Sequence, residues 1–357
     1  MRLFRGKAAA GDDLAAVRTT LAKGRAPASV PNLRKRMKQG EALFEQADWP
    51  AAERYYTELI PALTDTMGPR SVSTLASWAD LATCQTMQGR AAEAIPVLAQ
   101  TAQLFRETWG AQKAGTFQTQ LVLADACTAA AQYEDALAVL DACLAYCAAE
   151  VGLVHKWSRL GRQRKVYVLR ILARFEEAEN ELRVEDSFAQ TDEERDTVRA
   201  LQLVVRAESG ATTSLAPMRE LFVRRQSDLL RECLATVLLE AGQAAEAADH
   251  FRALLDGLPV RSRNALHLRA ALARACVENG ELDEAEHAAQ TVLAAAAWPS
   301  GHPMTLSVRA TVARIAARRG DRAGAVAELQ AVAAGLTAVF GDGHPDVAQV
   351  VAWQAEC

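Results

Sequence analysis

The feature that most constrains this chain is a helical turn that returns at a nearly fixed interval. Ala52, Ala94, Ala136, Ala178, Ala247, Ala285 and Ala325, with Leu215 in the fifth place, each follow a short turn such as GRAAEA, AQYEDA or GELDEA. The successive spacings are 42, 42, 42, 37, 32, 38 and 40 residues. Between the turns, apolar residues recur with the 3.6 period of an amphipathic helix. A chain with such a period folds as an array whose units bury their apolar faces on one another.

A second register accompanies the first. Twelve residues before each anchor stand Gly40, Ala82, Ala124, Val166, Leu203, Ala235, Ala273 and Ala313, six of the eight being glycine or alanine. Small residues at both sites let the two helices of a hairpin approach closely. One residue earlier, Leu81, Leu123, Leu234, Leu272 and Val312 complete the packing face.

This pattern resembles the tetratricopeptide repeat. The 42-residue step, with GHP at 301–303 and 343–345, resembles the longer variety found in kinesin light chains. The resemblance covers about residues 32–357 and implies an all-α chain, a right-handed superhelical α-solenoid of about eight helix hairpins. First helices would line its concave surface and second helices its convex one. The expected organisation is an N-terminal helical cap over 1–30, the repeat array over 31–343 and a C-terminal capping helix over 344–357. Within the cap, AAAGDDLAAVRTTLAKG resembles the helix pair of an ankyrin repeat. The pattern departs from the family at Lys165–Val166 in unit four and at Leu215 in unit five, where TTS lengthens the turn.

Composition agrees with helix. Half the residues are apolar, and glycine (20) and proline (11) are scarce for a loop-rich chain. Seven cysteines, an odd number without a CxxC pair, argue against a disulfide framework or a zinc site and for buried thiols, Cys143 and Cys147 included. No secretory leader is visible and no window approaches 18 uninterrupted apolar residues, so the expected setting is soluble and cytoplasmic, without membrane.

No catalytic constellation emerges. Glycines fall singly at turns, so no phosphate loop forms, and GxSxG is absent. The six histidines have no HxxxH or HExxH spacing, and His302 and His344 precede proline at helix starts, where each is expected to close a turn. The acids of Glu281–Glu286 fall in a turn and a first helical turn, which the macrodipole favours. Neither enzyme activity, cofactor nor metal is expected.

Charge is uneven although the net is only −4. The basic block 151–175 carries seven Lys/Arg and no acid, and residues 176–200 that follow carry ten acids against three bases. In the repeat frame Gln163, Tyr167 and Arg170 share one face, which in tetratricopeptide repeats points into the groove. Arg164 lies beside it, and Arg274 and Arg314 would extend a cationic lining. These six are the candidate groove residues, suited to an acidic or aromatic peptide. The opposing reading is that the block merely neutralises the acidic helix after it. Arg36, Arg162, Arg199, Arg231, Arg269 and Arg309 form a ladder sixteen residues before the anchors. It reads either as stems packed on the preceding hairpin or as a cationic stripe.

The leading functional expectation is a non-enzymatic scaffold or adaptor binding a protein segment in the groove. One alternative is nucleic-acid or polyanion binding through 1–40, which includes RKRMK at Arg34–Lys38, and 151–175. Another is a peptide-sensing regulator acting through a separate output partner. Oligomeric state is open, with Trp298, Trp353, Val347, Val350 and Val351 available for capping or pairing.

Overall fold

A computed structural model describes residues 31–211, 214–260 and 262–357, so the expected cap at 1–30 lies outside the described residues. Among the described residues there are seventeen α-helices and no strand. The first eight are α1 (Pro31–Glu45), α2 (Trp49–Met67), α3 (Val72–Met87), α4 (Ala91–Trp109), α5 (Ala114–Ala129), α6 (Tyr133–Glu150), α7 (Lys156–Ile171) and α8 (Phe175–Ser187). The rest are α9 (Asp192–Glu208), α10 (Leu215–Arg224), α11 (Asp228–Glu240), α12 (Ala244–Leu255), α13 (Arg263–Asn279), α14 (Leu282–Ala294), α15 (Pro303–Arg318), α16 (Arg322–Phe340) and α17 (Pro345–Glu356). The helices divide between two compact units whose boundary falls between Val168 and Leu169, inside α7.

Each expected anchor lies in an even-numbered helix. Ala52, Ala94, Ala136, Ala178, Ala247 and Ala285 are fully buried and Ala325 is nearly so. Each is the fourth residue of its helix. Their partners twelve residues earlier are buried as well, including Ala82, Ala235 and Ala273 at 0% exposure. A Cβ at Gly40 would lie 3.1 Å from the Tyr56 ring, which shows how little room the hairpin leaves there.

The fifth unit corrects the register. Leu215 is the first residue of α10, and the fourth is Met218, which is fully buried. Six residues separate α9 from α10, whereas three separate α3 from α4 and α5 from α6. The insertion therefore sits wholly in the turn. Leu203 keeps its place five residues before the end of its helix, as Ala82 and Ala235 do. At the other departure, Val166 is buried at 1% exposure, and Lys165 avoids the core by pairing with Asp141 at 2.7 Å.

The hairpin turn has one demanding position, five residues before each anchor in the first four units. Ala47, Gly89, Ala131 and Ala173 all have positive φ there, 56°, 79°, 60° and 53°. An alanine in this conformation costs roughly 1–2 kcal/mol. Close packing of the two helices holds it in place.

Successive units of the N-terminal half are tied by one repeated contact. A positive-φ glycine ends the second helix, and a hydroxyl six residues later donates to its carbonyl. Thr74 bonds Gly68 at 2.9 Å, Thr116 bonds Gly110 at 2.6 Å and Ser158 bonds Gly152 at 2.8 Å. The donor's place in the chain advances by 42 residues each time, as the anchors do. In the C-terminal unit Ser262, His302 and His344 cap the helices that follow them instead.

Six of the seven cysteines are buried thiols, and Cys357 is half-buried. Among the described residues one helix, α16, is long and apolar enough to cross a bilayer by length and composition alone. Its Leu329, Val332 and Leu336 pack in a core with Leu306, Val347 and Val350.

Replacing Ala82 with leucine adds three carbons where none fit. Overpacking of this kind costs about 1–3 kcal/mol. Urea unfolding of Ala82→Leu is expected to show that loss, and an unchanged midpoint would contradict the close-approach reading.

Candidate protein-interaction face

The six candidate groove residues divide between the units. Gln163, Arg164 and Tyr167 belong to the N-terminal unit, and Arg170, Arg274 and Arg314 to the C-terminal one. All but Arg314 are half-buried, and Arg314 is buried at 8% exposure.

Each arginine of the set is engaged by a carboxylate. Arg164 Nε lies 3.0 Å from Asp125 Oδ1. Arg170 Nε donates to Glu208 Oε2 at 2.7 Å. Arg274 Nη1 donates to Glu240 Oε1 at 2.9 Å, and Arg314 Nη1 to Glu278 Oε1 at 2.5 Å. The acids Glu208, Glu240 and Glu278 share one repeat position, five residues after Leu203, Ala235 and Ala273. Arg274 and Arg314 each reach back from the next odd-numbered helix to the acid of the one before. Where that helix offers Thr236 instead of an arginine, Glu208 turns to Arg170 in the opposite direction. The expected cationic lining is thus a row of alternating charges.

The acid row escapes a sequence reading centred on the arginines, although its period was visible. Its electrostatics follow from the pairing. Burial alone would raise the Glu278 carboxyl, but the hydrogen bond from Arg314, with Arg318 and Arg274 nearby, outweighs it and holds the group below the usual carboxylate range. Arg314 is also covered by the Trp353 ring of α17, 4.3 Å from the guanidinium carbon to the ring centroid.

Most ladder arginines make internal contacts. Arg162 and Arg269 each donate to a carbonyl nine residues earlier, Leu153 at 3.1 Å and Val260 at 2.8 Å. Arg309 pairs with Glu328 of α16 at 2.6 Å, and Arg231 lies 3.5 Å from His250 of α12. These stems and heads join helices within the array. Arg199 is exposed.

Among the described residues one group has the composition of a metal site: Cys276, Glu281 and Glu284 converge within 4.8 Å. The guanidinium of Arg252 already occupies that convergence. It donates to Glu284 through Nε at 3.0 Å and Nη2 at 2.7 Å, and pairs with Glu281. A cation held this way leaves no vacancy for a metal ion. On α6 the neighbouring thiols Cys143 and Cys147 share a hydrogen bond that raises the first and lowers the second.

Two histidines serve the turns. His302 Nδ1 accepts from the Met304 amide at 3.1 Å, and His344 Nδ1 from the Asp346 amide at 3.2 Å, so each caps the helix it precedes. His267 sits edge-on to Trp298, with ring centroids 4.9 Å apart. Burial, then the nearby Arg263 and His302, hold it well below the ordinary histidine range. A histidine neutral in the fold binds its proton more readily when unfolded, so stability is present above about pH 6.5 and falls as pH drops below it. His267→Gln is expected to flatten the thermal-stability profile between about pH 7 and 5. An unaltered slope would contradict this assignment.

Three comparisons bear on the family. Residues 33–107 match the tetratricopeptide-repeat family model. No curated protein matches the sequence. Among solved structures, the anaphase-promoting-complex hetero-tetramer Cut9-Hcn1 is similar over 98% of this chain and 60% of that one, at 12% identity and a TM-score of 0.51. The chain thus spans under two thirds of that relative's length. A Rap protein complexed with Competence and Sporulation Factor is similar over 91% and 99%, at 11% identity and a TM-score of 0.49. A Podosopora anserina putative kinesin light chain with nearly identical repeats covers 74% and 95%, at 20% identity and a TM-score of 0.25. Residues 33–107 thus carry the sequence of tetratricopeptide repeats, and the chain has the fold of such solenoids over nearly its whole length.

Proposed function

We propose that the protein is a non-enzymatic interaction scaffold that holds a segment of a partner protein against its odd-numbered helices. The observation that carries this reading is the charged row of the C-terminal unit, Arg170–Glu208, Arg274–Glu240 and Arg314–Glu278. Repeat positions that only pack would need no charge. Here three acids at one repeat position each hold an arginine, and those arginines are buried or half-buried. The repeat fold supports the reading, since arrays of this kind present extended faces built from many units. The similar Cut9 chain is part of a hetero-tetramer.

The pairing also shapes the partner. An acidic peptide would compete with Glu208, Glu240 and Glu278 for each guanidinium, so charge attraction alone gives it little. A segment carrying both signs, or one adding apolar contact, exchanges pairs without leaving a buried charge alone. The same pairing weighs against nucleic acid, because Arg164 and Lys165 of the basic block are held by Asp125 and Asp141. The buried thiols suit a reducing, cytoplasmic setting.

Affinity capture with the wild-type chain and an Arg274→Ala/Glu240→Ala variant tests the reading. Deleting both partners leaves the face neutral and the fold intact. Specific partners of the wild type are expected to fall at least about tenfold with the variant, a loss of 1.4 kcal/mol in binding. An unchanged partner set would remove this face from consideration.

A further inference from the structure

An open array of repeats has two ends, each with a neighbour on one side only, and those ends fray first. One contact removes that weakness from the C-terminal unit. His344 Nε2 lies 2.9 Å from the carbonyl oxygen of Ile171, 173 residues earlier and close to where the unit begins at Leu169. The other ring nitrogen, Nδ1, accepts the Asp346 amide at 3.2 Å. An amide N–H only donates and a carbonyl only accepts, so the neutral ring carries its proton on Nε2 and donates it to Ile171. Ile171 is the last residue of α7, where a helix leaves its carbonyls without partners of its own. One imidazole therefore caps the start of α17 and the end of α7.

The ring is held in that place. It is buried at 8% exposure and stacks on Phe340, the last residue of α16, with centroids 4.1 Å apart and planes 15° from parallel. Capping alone asks for less. Ser227 and Ser262 cap α11 and α13 of the same unit through a hydroxyl that accepts the amide three residues on. A serine at 344 would do the same for α17 and reach nothing beyond it. What the imidazole adds is a second polar atom on the far side of a rigid ring, and that atom meets Ile171.

The tie acts on more than one helix. α15, α16 and α17 share one core that includes Leu306, Ala310, Val332, Leu336, Val347 and Val350, so whatever holds the start of α17 holds the last hairpin with it. At the other end Ile171 adjoins Arg170, the first arginine of the charged row. The last, Arg314, lies on α15 under the Trp353 ring of α17. The tie therefore joins the elements that carry the two ends of the row.

We propose that His344 is a positioning residue that closes the C-terminal unit end to end, so that its charged row has no free end and its two ends open only together. Closure supplies pre-organisation. A segment bound along the row does not have to draw the ends into register, because that freedom is already lost on folding. The tie stands whether or not the row takes a partner, so its test and the capture test fail separately.

Hydrogen exchange read by mass spectrometry on the full chain tests this with three variants. His344→Asn keeps a good cap for α17 but is too short to reach Ile171. It is expected to speed exchange about threefold to tenfold in two segments at once, the turn after Ile171 and helices α15–α17, with α11 and α12 unchanged. Phe340→Leu, which frees the ring to turn and touches neither hydrogen bond, is expected to affect the same two segments. His344→Ala loses the cap as well, and is expected to add a further increase in α17 alone. Exchange in His344→Asn that rises only in α17, or nowhere, would overturn the proposal, because the histidine would then be a cap and nothing more. A rise spread through α11 and α12 would also overturn it, since His344 would then support the fold in general rather than join its two ends.

Discussion

Everything in this structure depends on how closely the two helices of each hairpin approach. Ala82 and its turn partner Ala94, Ala235 and Ala247, and Ala273 and Ala285 all have no exposed surface. Backbones brought this near bury the apolar residues around them, Leu98 and Leu140 among them, each worth about 1.5–3 kcal/mol when fully removed from water. The same tightness makes alanine tolerable at positive φ in Ala47, Ala131 and Ala173. A loose hairpin would relax those residues, and the turn would lose its direction.

Close packing also determines where charge can go. With one side of each odd-numbered helix filled by small residues and its neighbours by leucine, polar groups collect on the side that remains. In the C-terminal unit they collect at two positions, one after the small residue and four further on. Arginine at the first position in α13 and α15 then reaches the glutamate at the second in α11 and α13. The arginines are the more buried members, so removing an acid leaves its arginine poorly solvated. The result is a face that is charged, ordered and nearly neutral at once.

The fold was legible in the sequence because its cause is local and repeated. Spacing between Ala52, Ala94 and Ala136 follows directly from helix length plus turn length. Leu215 misled because a three-residue insertion in the turn moved Met218 into the alanine's place, and an apolar residue was available at both positions. The candidate site was only half legible. Arg170, Arg274 and Arg314 stood out by their positions, but their partners lie in other repeats, 34 to 38 residues away. The contact from His344 to Ile171 had no signal at all, since it depends on how five hairpins' worth of small rotations add up. The histidine was recognisable as a turn residue, and that role is the one its Nδ1 plays.

The central claim is that adjacent repeats are coupled through these arginine–carboxylate pairs. A double-mutant cycle on Arg314 and Glu278, with urea unfolding of wild type, Arg314→Ala, Glu278→Ala and the double variant, measures that coupling directly. A favourable interaction of about 0.5–1.5 kcal/mol is predicted, between the value of an exposed pair and that of a charged hydrogen bond. Additivity within about 0.3 kcal/mol would contradict the account, because the two groups would then be neighbours without being partners.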